Sequence, residues 1–256
     1  HRRRHSFPTR RSSDLITSSI TLKGKPHTVF LNADAMGKSM QGAGGILVLG
    51  SVFHSVIERT KLSPKEADVF PEHWLKYTFV ELHRVFEVFD GSMLISLVMG
   101  LIDDESGLMY YINAEHPWSV LYRQGKAEFI EKELVLRKLG TQGVAGQIEV
   151  CTLQLEPKDV IFVGSDGRDD LLLGYDSEGA RIINEDEQLF LKVIEEADGQ
   201  LDRIRDVLEN YGELTDDLSL LRIGYKEDVH HDHTQLTQHV IQLLNRARLA
   251  VKANQL

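Results

Sequence analysis

The sequence predicts an α+β fold in which two mostly antiparallel sheets pack together between helices. Two observations carry this reading. The order of candidate elements runs hairpin, two helices, several short strands, two helices and a final strand, and the hydrophobic period switches from helical to alternating near residue 93. Three acidic clusters also lie beside strand-like apolar runs: Asp34, Asp166 and the pair Asp216-Asp217. Carboxylates at strand ends are held by the sheet, and three that converge make a site for hard cations.

Residues 1–15 carry five Arg against one Asp. A basic arm or a transit peptide can have this composition. The string resembles a translated sequencing-adapter tail, however, and is expected to be non-native. Residues 18–22 and 27–32 read as a hairpin, with Gly24 and Pro26 punctuating the turn. Over 41–59, Ile46, Leu49, Phe53, Val56 and Ile57 recur at helical spacing, although four glycines weaken the helix. After a polar stretch opened by Ser63-Pro64, a second helix runs 71–89 with Trp74, Leu75, Phe79, Leu82, Val85 and Phe86 on one face. It reads as a core-packing helix rather than a regulatory cover. Runs at 93–101, 108–113, 119–123 and 127–131 suggest antiparallel hairpins, and 148–155 and 159–163 continue the sheet across Glu156-Pro157-Lys158. Helices at 187–196 and 201–210 and a strand at 218–223 close the expected domain, 16–225. A polar linker at 226–232 and a helix at 236–250, a candidate for pairing with a second chain as a homodimer, complete the sequence.

Bulk properties exclude several classes. The chain has 256 residues, is 42% hydrophobic and 27% charged, and carries a net charge of −10. An acidic protein lacks the basic face that phosphate backbones require, so no nucleic-acid partner is expected. The longest apolar run, about ten residues, is half the roughly 20 needed to span a bilayer. The single Cys151 excludes an internal disulfide and fits a reducing, cytoplasmic location, although a parent protein anchored upstream is compatible with it. Alternation with Leu153 and Leu155 makes Cys151 a buried strand residue rather than a nucleophile.

Each acidic cluster also has a structural explanation. Asp166-Gly167 is a turn dipeptide, Asp34 could cap the following helix, and Asp216-Asp217 could be a solvated strand entry. Their order and flanks favour function. The sequence resembles the SpoIIE-type branch of the metal-dependent protein phosphatases (the PPM, or protein phosphatase 2C-like, superfamily). Four landmarks appear in the family's order: Ala33-Asp34-Ala35-Met36-Gly37-Lys38-Ser39, Asn113-Ala114-Glu115-His116-Pro117, the run 160–167 ending in Asp166-Gly167, and Asp216-Asp217-Leu218-Ser219-Leu220.

That resemblance implies an α/β/β/α sandwich, two Mn²⁺ or Mg²⁺ ions, and hydrolysis of phosphoserine or phosphothreonine on a protein. It implies that Asp34 bridges the ions with help from the Ala35 carbonyl, that Asp166 and Asp216 complete the set, and that Asp217 supports it. It further implies an output domain of a bacterial signalling protein acting on a phosphoprotein such as an anti-sigma-factor antagonist. The alternative is a catalytically impaired binding or switch module. Ser39 and Glu115 stand where the family has glycine. The family's upstream acidic strand would fall in or before the tail, so an N-terminally truncated, weakly active chain is expected. His116 reads as a structural hydrogen-bonding residue rather than a general acid. Lys38 and Arg168, and the cluster His230, His231 and His233, read as solvated.

Overall fold

A computed structural model describes residues 13–36, 40–143 and 148–227. The account below concerns the compact unit that ends at Tyr225. Lys38, Ser39, the His230–His233 cluster and the expected terminal helix lie outside the described residues.

Strands β1 (Ser13–Leu22) and β2 (Lys25–Ala35) pair antiparallel around Lys23-Gly24. Both turn residues have positive φ, 50° and 77°, as a tight two-residue hairpin requires. The strands are longer than expected, and β1 takes in Ser13, Asp14 and Leu15, part of the expected non-native tail. Three helices follow: α1 (Met40–Leu62), the short α2 (Pro64–Ala67) and α3 (Pro71–Glu87). α2 starts where only a polar stretch was expected, because Ser63 caps it, accepting a hydrogen bond from the Glu66 amide, and Pro64 suits its first turn. Strands β3 (Ile95–Asp103), β4 (Leu108–Ala114) and β7 (Cys151–Gln154) extend the first sheet to the order β1-β2-β3-β4-β7.

The second sheet has the order β12-β8-β5-β6, from β5 (Val120–Arg123), β6 (Lys126–Phe129), β8 (Val160–Gly164) and β12 (Leu220–Gly224). β7 and β8 therefore belong to different sheets, which corrects the expectation that they continue one sheet across residues 156–158. A small third sheet, absent from the sequence reading, joins β9 (Leu171–Tyr175), β10 (Arg181–Ile183) and β11 (Glu213–Leu214). Helices α4 (Leu189–Glu196) and α5 (Leu201–Tyr211) lie between β10 and β11 in sequence. Cys151 is half-buried rather than fully buried, and burial raises its thiol pKa.

Three hydrophobic clusters define four layers. Val29, Leu31, Ala33 and Ala35 of β2 pack with Leu97, Met99 and Leu101 of β3 against Leu49, Phe53, Leu75, Phe79 and Phe86 of α1 and α3. Val120, Val160 and Phe162 pack against Phe190, Val193, Ile204 and Leu208 of α4 and α5. Between the sheets, Phe30, Val98 and Tyr111 meet Leu121, Ile161 and Val163. The result is the expected α/β/β/α sandwich. Strand alternation then orients the site: odd residues of β2 face the helices, so Phe30, Asn32 and Asp34 share the face turned toward the second sheet.

Candidate metal centre

The site forms where the ends of β2 and β8 meet the entry to β12. β8 is buried along its whole length and delivers Ser165 and then a short 3-10 turn, Asp166–Arg168. That turn folds back on itself: the amides of Asp169 and Asp170 both donate to the Asp166 carbonyl, at 2.8 and 3.1 Å. Asp170 thereby comes beside Asp166. The segment carrying Asp216 is fixed from two sides. Thr215 donates to the Asp170 carbonyl through its amide (3.1 Å) and its hydroxyl (2.9 Å), and the Ser165 hydroxyl donates to the Asp217 carbonyl at 3.1 Å. Gly167 permits this approach, since a Cβ there would lie 2.4 Å from the Asp217 carbonyl oxygen.

Carboxylate oxygens of Asp166, Asp170 and Asp216 consequently lie within 4.8 Å of one another. Asp166 and Asp216 are exposed and Asp170 is half-buried. Burial, together with the charges of Asp166, Asp216 and Asp169, raises the Asp170 pKa above the usual carboxylate value. Three carboxylates held at this range repel one another, and a cation relieves the repulsion. The all-oxygen donor set fits hard ions such as Mg²⁺ or Mn²⁺ better than a soft metal.

The structure thus brings Asp166 and Asp216 together and adds Asp170, which the sequence reading missed. The acidic density of Asp166-Gly-Arg-Asp169-Asp170 was the available signal. Asp34 and Asp217 are not members of the three-carboxylate group. Asp34 is the penultimate residue of β2, opposite Ser96 of β3 and half-buried. Ala35 is buried, and Asp217 is exposed. Glu115 has φ 49°, the left-handed conformation expected where the family carries glycine. Its carboxylate accepts a hydrogen bond from the Lys138 amide at 3.0 Å, which offsets part of the steric cost.

Arg168 departs from its solvated reading. It is 2% exposed, donates to the Trp118 carbonyl at 2.7 Å and to Asp169 at 3.2 Å, and lies 4.5 Å from the Phe190 ring centroid. It anchors the turn beneath the carboxylates. A cleft of about 410 Å³, lined by Trp118, Phe129, Arg168, Asp169, Asn184 and Glu187 among others, opens at Asp169, the neighbour of Asp170 in sequence.

Residues 24–226 match the family described as Stage II sporulation protein E (SpoIIE). No curated protein sequence matches the chain. Among solved structures, the chain is similar to the RsbU and RsbW domains of a Mycobacterium tuberculosis protein, at 20% identity and TM-score 0.58, over 81% of this chain and 55% of that one. It is similar to the PP2C phosphatase domain and regulatory-domain fragment of the cell fate determinant SpoIIE from Bacillus subtilis (13%, 0.56, 82% and 56%). A third likeness is to the catalytic domain of the serine threonine protein phosphatase PstP in complex with 2 manganese ions (12%, 0.54, 83% and 96%). At these identities the likenesses show the fold. The chain spans just over half the length of the first two structures. No helix among the described residues is long and apolar enough to cross a membrane.

Proposed function

The chain belongs to the SpoIIE family, and from that premise we propose that it is a metal-dependent phosphatase that hydrolyses phosphoserine or phosphothreonine on a protein. The observation that carries this reading is the convergence of Asp166, Asp170 and Asp216 where the turn after β8 meets the entry to β12. We assign the ion-holding role to these three. Asp34 and the Ala35 carbonyl contribute from β2, with Asp217 in support.

Asp166, Asp170 and Asp216 would hold Mn²⁺ or Mg²⁺ there, and the ions would supply a water of lowered pKa and neutralise the phosphate charge. The chain's own residues hold and orient. The Asp166–Arg168 turn, pinned by buried Arg168, fixes two carboxylates, and Thr215 fixes the third. The cleft beside Asp169 takes the polypeptide that flanks the phosphorylated residue. With acidic side chains at this site, a phosphate dianion is repelled until cations are present, so metal dependence follows from charge alone. The substrate is a phosphorylated protein of a bacterial signalling system, of the anti-sigma-factor-antagonist class.

Phosphopeptide hydrolysis with Mn²⁺, repeated in excess EDTA and with Asp166→Asn, tests the reading. Activity in the wild type that is lost in both controls is expected. Full activity in EDTA or in the variant would overturn it. Inactivity of wild type and variant alike would favour a binding or switch module.

A further inference from the structure

His116 lies in the loop after β4 and is 3% exposed. Its ring reaches both sheets. Nε2 is 2.6 Å from Asn32 Oδ1 on β2, Nδ1 is 3.1 Å from Ser96 Oγ on β3, and the backbone of Gly164, the last residue of β8, lies against the side chain. From these contacts a connected set of groups runs to the acidic segments of the site. With the single proton of the neutral ring on Nε2 and given to Asn32 Oδ1, Ser96 Oγ donates to Nδ1, and its oxygen stands 3.3 Å from the carbonyl of Asp34. Asn32 Nδ2 donates to Ser219 Oγ at 3.0 Å. The Ser219 amide donates to Ser165 Oγ, whose proton goes to the Asp217 carbonyl. Ser165, fully buried, immediately precedes Asp166.

We propose that His116 is a positioning residue of the metal centre, one imidazole that joins the strand ends bearing Asp34, Asp166 and Asp216 and so sets the gap between the two sheets where a divalent cation binds. The proposal rests on the metal-centre reading above and deepens it. A buried histidine is most often only a core residue with local contacts, and two others among the described residues show that pattern. His27 contacts the carbonyl two residues away, and His83, without a hydrogen bond, lies 3.3 Å from Glu87 on its own helix. His116 differs because its partners come from three strands in two sheets. Its own loop is fixed as well: the His116 amide donates to Asn113 Oδ1 at 2.9 Å, and Asn113 donates to the buried Glu131 at 2.9 Å. Burial keeps the ring neutral, with its pKa lowered to about 3, so it adds no cation that would compete with a metal. Residues that orient ligands without touching the ion typically change metal affinity by about 10- to 100-fold when removed.

The test is calorimetric Mn²⁺ titration of the full chain, a readout independent of turnover. It compares wild type with His116→Ala, His116→Gln, His116→Asn and the control Leu208→Ala, whose fully buried side chain packs in the α4–α5 layer. His116→Ala is expected to weaken Mn²⁺ binding by about 10-fold or more. His116→Gln, which can still reach Asn32, is expected to recover most of that loss. His116→Asn, with only the Ser96 arm within reach, should recover less. Leu208→Ala should lower the melting temperature while leaving Mn²⁺ affinity unchanged. Binding by His116→Ala within about twofold of wild type overturns the proposal, as does an equal loss in Leu208→Ala. If His116→Ala does not fold, the Gln and Asn variants decide by the same criterion. A wild type that binds no Mn²⁺ sinks the metal-centre reading and this proposal together. A wild type that binds, with variants that bind equally, sinks this proposal alone.

Discussion

Single side chains at the site trade stability against function. Burial and the neighbouring carboxylates raise the Asp170 pKa, so neutralising it removes a desolvation cost and repulsion. Asp170→Asn is expected to melt higher than wild type in EDTA and to lose the upward shift that Mn²⁺ gives the wild type, both measured by thermal denaturation. His116 predicts a pH dependence. Its folded-state pKa, about 3, lies below the ordinary 6.5, so the unfolded chain binds a proton that the native state refuses. The stability contribution is therefore complete above about pH 6.5 and is lost as pH falls toward about 3, with a limiting slope of one proton, about 1.4 kcal/mol per pH unit. Urea midpoints at about pH 7 and about pH 5 should fall further in wild type than in His116→Gln. Asp166 and Asp216 were legible in the sequence because an apolar strand adjoins each. Asp170 was not, although β9 follows it directly, because the landmark that marks this stretch ends at Gly167. Arg168 misled because an arginine among acids reads as solvated, whereas Phe190 and the Trp118 carbonyl lie in elements far from it in the chain and enclose it.

At the level of elements, the period of the apolar residues was a sound guide. α1 and α3 bury the faces expected of them because large side chains at helical spacing meet the first sheet. Phe53 is fully buried, edge-on to Trp74 with ring centroids 6.4 Å apart. Phe53→Ala should cost about 3–5 kcal/mol in chemical denaturation. The β9–β11 sheet escaped notice because its strands have five, three and two residues, and β10 is exposed throughout, leaving no alternation to read. The switch of sheets between β7 and β8 also left no local mark, since a turn does not say which neighbour the next strand will pair with. Gly167 ties this scale to the site. Gly167→Ala must push the 216–217 segment outward by the Cβ–carbonyl clash, and Mn²⁺-dependent activity should fall by an order of magnitude or more, read in the phosphopeptide assay.

For the molecule as a whole, the three-carboxylate group lies beside strands of the second sheet, Asp166 after β8 and Asp216 before β12. In the proposed assignment Asp34 joins it from the first sheet, so a cation held by both would couple the two halves of the sandwich. Mn²⁺ at about 100 times its dissociation constant should stabilise the native state by about 2.7 kcal/mol, and Asp166→Asn should remove that gain in denaturant titrations. The layered architecture, two sheets between helices, was legible from the order of elements; which strands belong to which sheet was not, because that depends on pairing between distant segments. The alternation along β2 also bears on inheritance. Deleting one codon between Gly24 and Asn32 would rotate every residue before the deletion to the opposite face, or else carry Asp34 into the layer of Phe53 and Phe79 and set an alanine at the seam. Deleting two codons would preserve the facing of each side chain. Lineages of this fold should therefore tolerate length changes in the first strand pair in steps of two and eliminate single-codon changes, however conservative the residues lost.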